Sequence, residues 1–260
     1  MGLFSLLLKK IIPIPKFKDC ESFAFIGPHP DDIEVGCGAT VSRLVREGKR
    51  VCFIVATDGR YGGYDLSRTT DELVAMRREE SIAAAKLLGV EDVRFMGFPD
   101  GGDYSIIDMR NKIAVELANF KADMVVVPDN HLKSELHIDH INAGRAGEIA
   151  FMTAGNKLMM HELGCDSVAE HKGIAYYYTD KPNTYFKIKK SDYDAKISSL
   201  RAHKSQFGGS EDVEKIFGFM QLYFKLSAIK NGLKRFGKYA EAYRVLAPVH
   251  THCAPEAADF

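Results

Sequence analysis

The chain has 260 residues, enough for a substantial hydrophobic core in one α/β domain. Its 35 basic and 35 acidic residues give a formal net charge of +0, so no overall field attracts nucleic acid or an anionic membrane. Five widely spaced cysteines without a C-x-x-C pair indicate neither a disulfide framework nor a thiolate zinc site, and they favour a reducing cytoplasm.

Residues 1–18 form an apolar and basic segment, and residues 19–260 are predicted to form a single domain. Lys9 and Lys10 divide two short apolar runs, neither of which reaches the roughly 20 residues that cross a bilayer. The charges follow the first apolar run and no cleavage site is present, which argues against a signal peptide. Two interpretations stay open. The segment packs on the domain or on a second copy in a homo-oligomer, or it lies on a membrane as a peripheral amphipathic anchor.

The stretch FAFIGPHPDDIEVGCGAT, residues 23–40, gathers reactive side chains after a short apolar run. The run FAFI is typical of a buried strand, and the HPDD sequence at 29–32 follows in the loop at its carboxyl end. Open α/β sheets bind ligands in such loops. Two adjacent carboxylates beside one imidazole are costly to gather, because the carboxylates repel each other unless a cation offsets their charge. The loop therefore indicates a metal site. The alternative is an Asp-rich turn that caps the next helix.

That next helix is expected from about Ala39 to Glu47, with Gly36 and Gly38 giving the backbone room to turn before it. Further apolar strands are predicted at 50–57, 92–96 and 123–127, separated by helices at 71–89 and 106–120. This alternation predicts an α/β fold, a Rossmann-like doubly wound and mostly parallel sheet.

The polar stretch 60–71 contains glycines and is expected to be a mobile loop at the rim of the site. Asp58 follows the second strand and therefore lies on the same edge of the sheet.

A second group of polar residues follows the fourth strand. The HIDH sequence at 137–140 enters a helix expected to start around Asp139, which places His137 and His140 on a common side. Because the first and fourth strands end at one edge of the sheet, both groups are expected to meet there. Two histidines and a carboxylate suit tetrahedral zinc with an open position for water. His131 is interpreted as a loop histidine, not as a fourth ligand.

The carboxyl-terminal region begins with two strand-like runs, at 174–180 and 184–189, which either extend the sheet or form an edge hairpin. Helices are predicted at 192–204 and 211–231. The aromatic stripe of the second helix is more typical of a core or a subunit interface than of a cofactor site. His203 is interpreted as structural or close to the pocket.

HPDDIEVGCGAT and the downstream HIDH together resemble the LmbE/PIG-L family of metal-dependent N-deacetylases, which act on N-acetylglucosamine-type groups. The similarity extends to three further stretches: RREESIAAAKLLG at 77–89, RAHKSQF at 201–207 and YAEAYRV at 239–245. The pieces are individually weak, but they span most of the chain and their combination is highly specific.

The resemblance implies Zn²⁺, or another divalent metal, held at the carboxyl ends of the strands by His29, Asp32 and His140. It implies that Asp31 is the general base. Residue chemistry agrees, because a carboxylate beside the ligands can take a proton from water and give it to the leaving nitrogen.

In the same family pattern His137 stabilises the oxyanion or assists the leaving group and is oriented by Asp139. Arg77 matches a substrate-contacting arginine, and Asp58 is expected to bind a sugar hydroxyl or to support the site. The chain departs from the pattern twice. An Ile is inserted before Glu34, and Glu135 precedes the second cluster where some relatives have a tyrosine nearby.

The function implied by the resemblance is hydrolysis of the acetyl group from an N-acetylated amino sugar, such as an N-acetylglucosamine-type part of a glycoside, glycolipid or polysaccharide precursor. The alternative is a non-enzymatic Rossmann-type protein that binds a nucleotide or a sugar. The first loop disfavours nucleotide binding, because Gly36-x-Gly38 lacks the third glycine of the phosphate-binding fingerprint.

Overall fold

The computed structural model describes residues 7, 9–63 and 65–260 of the chain. Within this part the chain forms one sheet of seven strands, which are, in chain order, β1 (Ser22–Gly27), β2 (Arg50–Thr57), β3 (Asp92–Phe98), β4 (Met124–Pro128), β5 (Gly173–Tyr177), β6 (Thr184–Ile188) and β7 (Tyr239–Leu246). The strand order is β3-β2-β1-β4-β5-β7-β6. Strands β1 to β5 pair in parallel, whereas β7 pairs antiparallel with β5 and β6. The predicted Rossmann-like, mostly parallel sheet is confirmed.

Helices cover both faces of this sheet. They are α1 (Asp32–Arg46), α2 (Thr70–Leu87), α3 (Ile106–Phe120), α4 (Ile138–Thr153), α5 (Lys157–Glu162), α6 (Lys190–Leu200), α7 (Lys204–Phe207) and α8 (Glu211–Leu233).

Successive side chains of β1 point to opposite faces of the sheet, as its alternation requires. Ala24 and Ile26 pack into one core with α3 and α4. Phe23 and Phe25 pack into the other core with α1. Because both faces are buried, the strand carries an unbroken apolar run from Phe23 to Ile26.

The chain order creates a crevice between β1 and β4. From β1 the chain proceeds outward through β2 to β3, and it then returns to β4 on the other side of β1. This reversal is the topological switch point at which open α/β sheets bind ligands beyond the carboxyl ends of the strands. The two sequence groups with metal-binding chemistry follow β1 and β4 and therefore meet at this crevice.

The prediction that the first helix begins near Ala39 is wrong, because α1 begins at Asp32 and contains both glycines. A Cβ atom on Gly36 would lie 2.5 Å from the ring of Tyr177, and one on Gly38 would lie 3.0 Å from the side chain of Lys196. The glycines therefore permit close packing of the helix and do not form a turn.

The two strand-like runs of the carboxyl-terminal region extend the sheet, which was the first of the two alternatives. β5 joins β4 in the parallel part, and β6 forms the edge. They are separated by β7, a strand that the sequence analysis did not identify. The predicted helix at 192–204 is two helices, α6 and α7, which are separated at residues 201–203.

The end of the amino-terminal segment packs against the sheet. Phe17 is 3% exposed, and its ring lies 5.0 to 5.6 Å from the rings of Phe23, Phe186 and Tyr243. Residues 1–6 and 8 of the predicted segment lie outside the described residues. In the part of the chain that the structure describes, no helix has the length and hydropathy needed to cross a membrane.

Candidate metal centre and catalytic site

Three side chains that could bind a metal face one another at the β1–β4 crevice. The Nδ1 atom of His29, in the loop after β1, lies 3.0 Å from Oδ2 of Asp32 in the first turn of α1. The Nε2 atom of His140, in the first turn of α4, lies 3.4 Å from the same oxygen. The three ligand atoms all lie within 4.8 Å of one another.

These distances fit a small tetrahedral cation. Zinc bound at about 2.0–2.1 Å places neighbouring ligand atoms roughly 3.3 Å apart. The contacts to the Asp32 oxygen, 3.0 and 3.4 Å, are close to that value. His29 and Asp32 are each 8% exposed, so the arrangement is largely shielded from bulk water. Two imidazoles and one carboxylate are therefore able to hold a metal here.

Each histidine of this group also contacts a carboxylate through its other nitrogen. The Nε2 atom of His29 lies 3.4 Å from Oδ1 of Asp100 and 3.5 Å from Oδ2 of Asp139. The Nδ1 atom of His140 lies 3.1 Å from Oε2 of Glu135. Carboxylates in this position fix the ring orientation and the tautomer of metal-binding histidines.

A second group, His29, Asp100, His137 and Asp139, also brings potential ligand atoms together. The carboxylate of Asp139 is already engaged, because Oδ2 accepts from Gly101 N at 2.8 Å and Oδ1 accepts from the Tyr104 hydroxyl at 2.6 Å. Asp139 is thus hydrogen-bonded to the 101–104 loop, and the first group has the more available donors.

The charges of the first group support one another. Burial alone would lower the pKa of His29, but the carboxylates of Asp100, Asp139 and Asp32 raise it to about 12. Burial would raise the pKa of Asp32, but hydrogen bonds from His140 and His29 hold it well below its usual range. The carboxylates therefore create a place that favours positive charge, as a cation site requires.

Asp31 lies beside these three candidate ligands in a strained backbone conformation. Its φ angle is 135°, in a region that residues other than glycine rarely adopt. Asp31 occupies the N-cap position of α1, but its side chain makes no capping hydrogen bond. The alternative in which it serves as an ordinary helix cap is therefore not supported. Burial, followed by the charge of Asp32, raises the pKa of Asp31 to about 6.

Arg77 of α2 is buried beneath this loop. Its guanidinium donates to the carbonyl oxygens of Gly59 and Pro30 at 2.8 and 2.9 Å, and Nη2 lies 3.5 Å from Oδ2 of Asp31. The side chain is only 3% exposed. These contacts occupy the guanidinium within the protein and connect the loops after β1 and β2.

Asp58, at the carboxyl end of β2, is engaged with its neighbours. Its carboxylate accepts from the guanidinium of Arg60 and from the backbone N of Asp100, the latter at 3.2 Å. Burial would raise its pKa, but these hydrogen bonds lower it. Asp58 thereby holds the residue that contacts His29.

His137 is placed at the N-cap of α4, with its ring centroid 4.7 Å from that of His29 and 5.0 Å from that of His140. Its Nδ1 atom accepts from the backbone N of Asp139 at 3.3 Å, whereas the Asp139 carboxylate is 3.7 Å away. The neutral tautomer with the proton on Nε2 satisfies this contact, so Nε2 is available as a donor. The side chain is 49% exposed and can meet a ligand.

Three residues that support this site are not among those predicted from the sequence. Asp100 contacts His29, and Glu135 accepts from the backbone N of His137 at 2.8 Å while its other oxygen contacts His140. Tyr178 stacks on His140 with an interplanar angle of 6°. Asp100 and Tyr178 follow the carboxyl ends of β3 and β5, so the same strand-end pattern could have identified them.

Two further histidines, His203 and His131, pair with glutamates. His203 is fully buried, and its Nε2 lies 3.3 Å from Oε1 of Glu34, the residue displaced by the inserted Ile. His203 is therefore close to the site through Glu34. His131 lies in the loop after β4 and pairs with Glu148 at 2.7 Å.

The surroundings of the site contain two large cavities. One, of about 560 Å³, is lined by His140 and by several aromatic side chains, including Tyr178, Tyr193 and Tyr223. The other, of about 740 Å³, lies between the loop that follows β2 and the segment 204–210. The described residues of the predicted rim at 60–71 form a loop up to the start of α2 at Thr70.

Comparison with known proteins places this chain in a family. The family model described as "PIG-L: GlcNAc-PI de-N-acetylase" matches residues 24–151. Diacetylchitobiose deacetylase from Thermococcus kodakarensis is 31% identical over 258 residues, which cover 97% of this chain and 94% of that protein.

Solved structures of other proteins share this fold over most of the chain. An N,N'-diacetylchitobiose deacetylase from Pyrococcus horikoshii, complexed with its inhibitor, has a TM-score of 0.86 and 29% identity, covering 97% of this chain and 94% of that chain. A 4-carboxy-2-hydroxymuconate hydratase from Pseudomonas putida has a TM-score of 0.74 at 17% identity, covering 88% of this chain and 97% of that chain. The hydratase shows only the fold, so the reaction has to be argued from the residues of the site. By its sequence match to the first relative, the chain belongs to the PIG-L/LmbE family of N-deacetylases.

Proposed function

We propose that this protein is a metal-dependent hydrolase that removes the acetyl group from an N-acetylated amino sugar. The observation that carries the proposal is that two neighbouring carboxylates have different surroundings. Asp32 faces two imidazoles that could share a metal with it, while Asp31 is held in a strained conformation beside them. The similarity to deacetylases of N-acetylated sugars supports the choice of substrate class.

His29, Asp32 and His140 are the proposed ligands of Zn²⁺ or another divalent cation, and Asp100 and Glu135 orient the two histidines. When bound, such a cation would act as a Lewis acid toward the amide carbonyl. It would also lower the pKa of a bound water to about 7, so that hydroxide is available near neutral pH.

Asp31 is the proposed general base and acid. In its ionised form it accepts a proton from the attacking water, and it then donates that proton to the amide nitrogen as the carbon–nitrogen bond breaks. The neighbouring guanidinium of Arg77 favours the ionised form, whereas burial and Asp32 oppose it. A divalent cation bound beside it would further favour the ionised form, which is the form that takes the proton.

His137 is the proposed donor to the oxygen of the acetyl carbonyl, on which negative charge develops. Its Nδ1 is held by the backbone of Asp139, so the Nε2 proton is the one available to the substrate. One such donor typically contributes about 10²–10³ in rate. In this proposal Asp139 acts on His137 through its backbone, and its carboxylate supports His29.

The sugar is proposed to occupy the space next to His140, where the tyrosine-lined cavity begins. Tyrosine rings offer flat apolar faces together with hydroxyl groups, a combination that suits a carbohydrate. The loop at 60–71 is proposed to form part of the rim. Arg77 and Asp58 are proposed to shape the pocket by holding the loops on which it is built.

Nucleotide binding is not proposed. The N-terminus of α1, where a phosphate would bind in a Rossmann fold, carries two carboxylates, Asp31 and Asp32, that repel an anion. Gly36 and Gly38 lie inside α1 and are not available to surround a phosphate. Four of the five free cysteines are buried, and we propose a reducing, cytoplasmic location on the basis of cysteine usage.

The proposal is tested by measuring acetate release from a panel of N-acetylated amino sugars and oligosaccharides, with metal-replete and chelator-treated protein. We expect activity on at least one amino sugar that is lost with the metal and restored by Zn²⁺ or another divalent cation. His140→Ala should lose both metal and activity, whereas His161→Ala, at an exposed histidine of α5, should lose neither. Acetate release that is unaffected by complete metal removal would contradict the proposal.

A further inference from the structure

Helix α8 carries an exposed apolar stripe on the side that faces away from the domain. The side chains of the stripe are 57% to 73% exposed, and they are Ile216, Phe219, Tyr223, Leu226 and Leu233. On the opposite side, Phe217 and Ala228 are buried in the protein. A helix that is apolar on both sides normally has both sides covered.

The spacing of the stripe is the spacing of a helix–helix contact. From Ile216 to Leu233 the positions 216, 219, 223, 226, 230 and 233 advance by three and four residues alternately, which is the a/d pattern of a heptad repeat. All but one are apolar, and the exception is Lys230. A single lysine at such a position is a known means of setting the register between two helices. The pattern therefore favours another helix as the partner.

Charges on the same stripe determine the direction of that helix. Asp212 lies four residues before Ile216 and so continues the a/d pattern toward the start of the helix. The stripe is therefore acidic near its start, at Asp212, and basic near its end, at Lys230. A second α8 running parallel would place like charges opposite each other. A second α8 running antiparallel, with the two chains related about Gln221, places Asp212 opposite Lys230 at both ends.

The antiparallel register also matches the apolar residues. It sets Ile216 opposite Leu226 of the second copy and Phe219 opposite Tyr223 of the second copy, so that each a position meets a d position. An anionic membrane fits less well, because α8 begins with three exposed acidic residues, Glu211, Asp212 and Glu214.

We propose that α8 is a self-association surface, on which the helices of two copies of this chain pack antiparallel in a two-fold symmetric contact. The contact buries Ile216, Phe219, Tyr223 and Leu226 of both copies and pairs Asp212 of each with Lys230 of the other. It does not depend on the proposed reaction, although it borders the cavity beside His140, which Tyr223 also lines.

Light scattering after size-exclusion chromatography tests the contact at micromolar concentration. Wild-type protein should have the mass of two chains or an even multiple, whereas Phe219→Glu and Leu226→Glu should shift toward the 29.0 kDa of one chain. Leu158→Glu is the matched control, because Leu158 is 78% exposed on α5, outside the stripe. Wild-type protein that is monomeric, including protein that is monomeric and binds anionic vesicles, would overturn the proposal. So would an oligomer that both α8 variants retain.

Cross-linking tests the direction and does not depend on disrupting the contact. In a Cys253→Ser background, which removes the exposed thiol, Ile216→Cys and Leu226→Cys proteins are prepared separately and then mixed with a short bifunctional maleimide. The antiparallel register predicts efficient cross-linking only in the mixture. Equal cross-linking of Ile216→Cys protein alone would overturn the antiparallel arrangement.

Discussion

Arg77 binds the loop that carries Asp31. Its Nη2 atom donates to the carbonyl of Pro30 at 2.9 Å and lies 3.5 Å from the carboxylate of Asp31. The φ angle of 135° at Asp31 is a strained conformation that costs about 1–3 kcal/mol and persists only when its surroundings hold it. Gly59 and Gly62 leave space for this arginine, since a Cβ atom at either would come within 3 Å of its guanidinium.

The first prediction concerns this link. Arg77→Lys cannot reach both carbonyl oxygens with a forked group, so Asp31 should lose its fixed position while the proposed metal ligands remain. Because a displacement of about 1 Å can cost roughly 10²-fold, we expect kcat for acetate release to fall by about 10–100-fold with metal content unchanged. Arg78→Lys, at the exposed neighbour, is the control. Equal kcat in both variants and the wild type would exclude the role.

The second prediction concerns the carboxylate behind His29. Asp100→Asn keeps the shape of the side chain but removes the charge that faces Nε2 of His29, 3.4 Å away. Loss of such a partner typically costs 10–100-fold in metal affinity, and we expect a loss of that size in competition titrations with a chelator. Asp103→Asn, at an exposed aspartate of the same loop, should bind the metal normally. Unchanged affinity in Asp100→Asn would show that Asp100 does not support the ligand.

The third prediction tests why α1 contains glycine. Gly36→Ala places a methyl group 2.5 Å from the Tyr177 ring, and such overpacking costs about 1–3 kcal/mol, more than the roughly 1 kcal/mol that alanine gains in a helix. The free energy of unfolding in urea should therefore decrease. Gly218→Ala in α8, where no atom lies within 4 Å of the added methyl group, should increase it by up to about 1 kcal/mol. A Gly36→Ala protein at least as stable as the wild type would contradict the close packing.

The fourth prediction concerns thiol reactivity. Cys253 is exposed, whereas the other four cysteines are buried, and burial raises the pKa of Cys20 to about 11. Since the thiolate is the reactive form, a colorimetric disulfide reagent should label one thiol per native chain quickly and the other four only on unfolding. Cys253→Ser should remove the fast phase. More than one fast thiol in the native protein would contradict the assigned burial.

The fold could be predicted from the sequence as far as its strands are continuous apolar runs. The interiors of β1, β2 and β4 are buried on both faces, so each strand contains an unbroken apolar run that is easily recognised. β7 was not predicted because it contains two charged residues, Glu241 and Arg244. Both are buried in the fold, where Glu241 pairs with Lys196 and Arg244 donates to a backbone carbonyl. Tertiary contacts of this kind leave no local pattern in a sequence.

The meeting of the two polar groups could be predicted because parallel strands deliver their following loops to one edge, and the resemblance to the family then implied which of their residues are the candidate ligands. Its supporting contacts could not, since they depend on distances across the crevice. Glu135 was noted only as a departure from the family pattern, yet it contacts both His137 and His140. Likewise, the strain at Asp31 follows from packing around Arg77, which lies 46 residues further along the chain in another helix.

Replacing Asp31 tests the central claim most directly, because it separates the proposed reaction from metal binding. Asp31→Asn keeps the shape of the side chain but cannot accept a proton, whereas Asp32→Asn removes the charge of a proposed ligand. Asp194→Asn, at an exposed aspartate of α6, controls for loss of a negative charge.

The measurement is acetate release on one substrate together with the metal content of the same samples. We expect Asp31→Asn to retain nearly full metal content and to lose about 10²-fold or more of its turnover, while Asp32→Asn loses the metal itself. Full turnover in Asp31→Asn, or inactivity accompanied by loss of its metal, would contradict the assignment of Asp31 as the base.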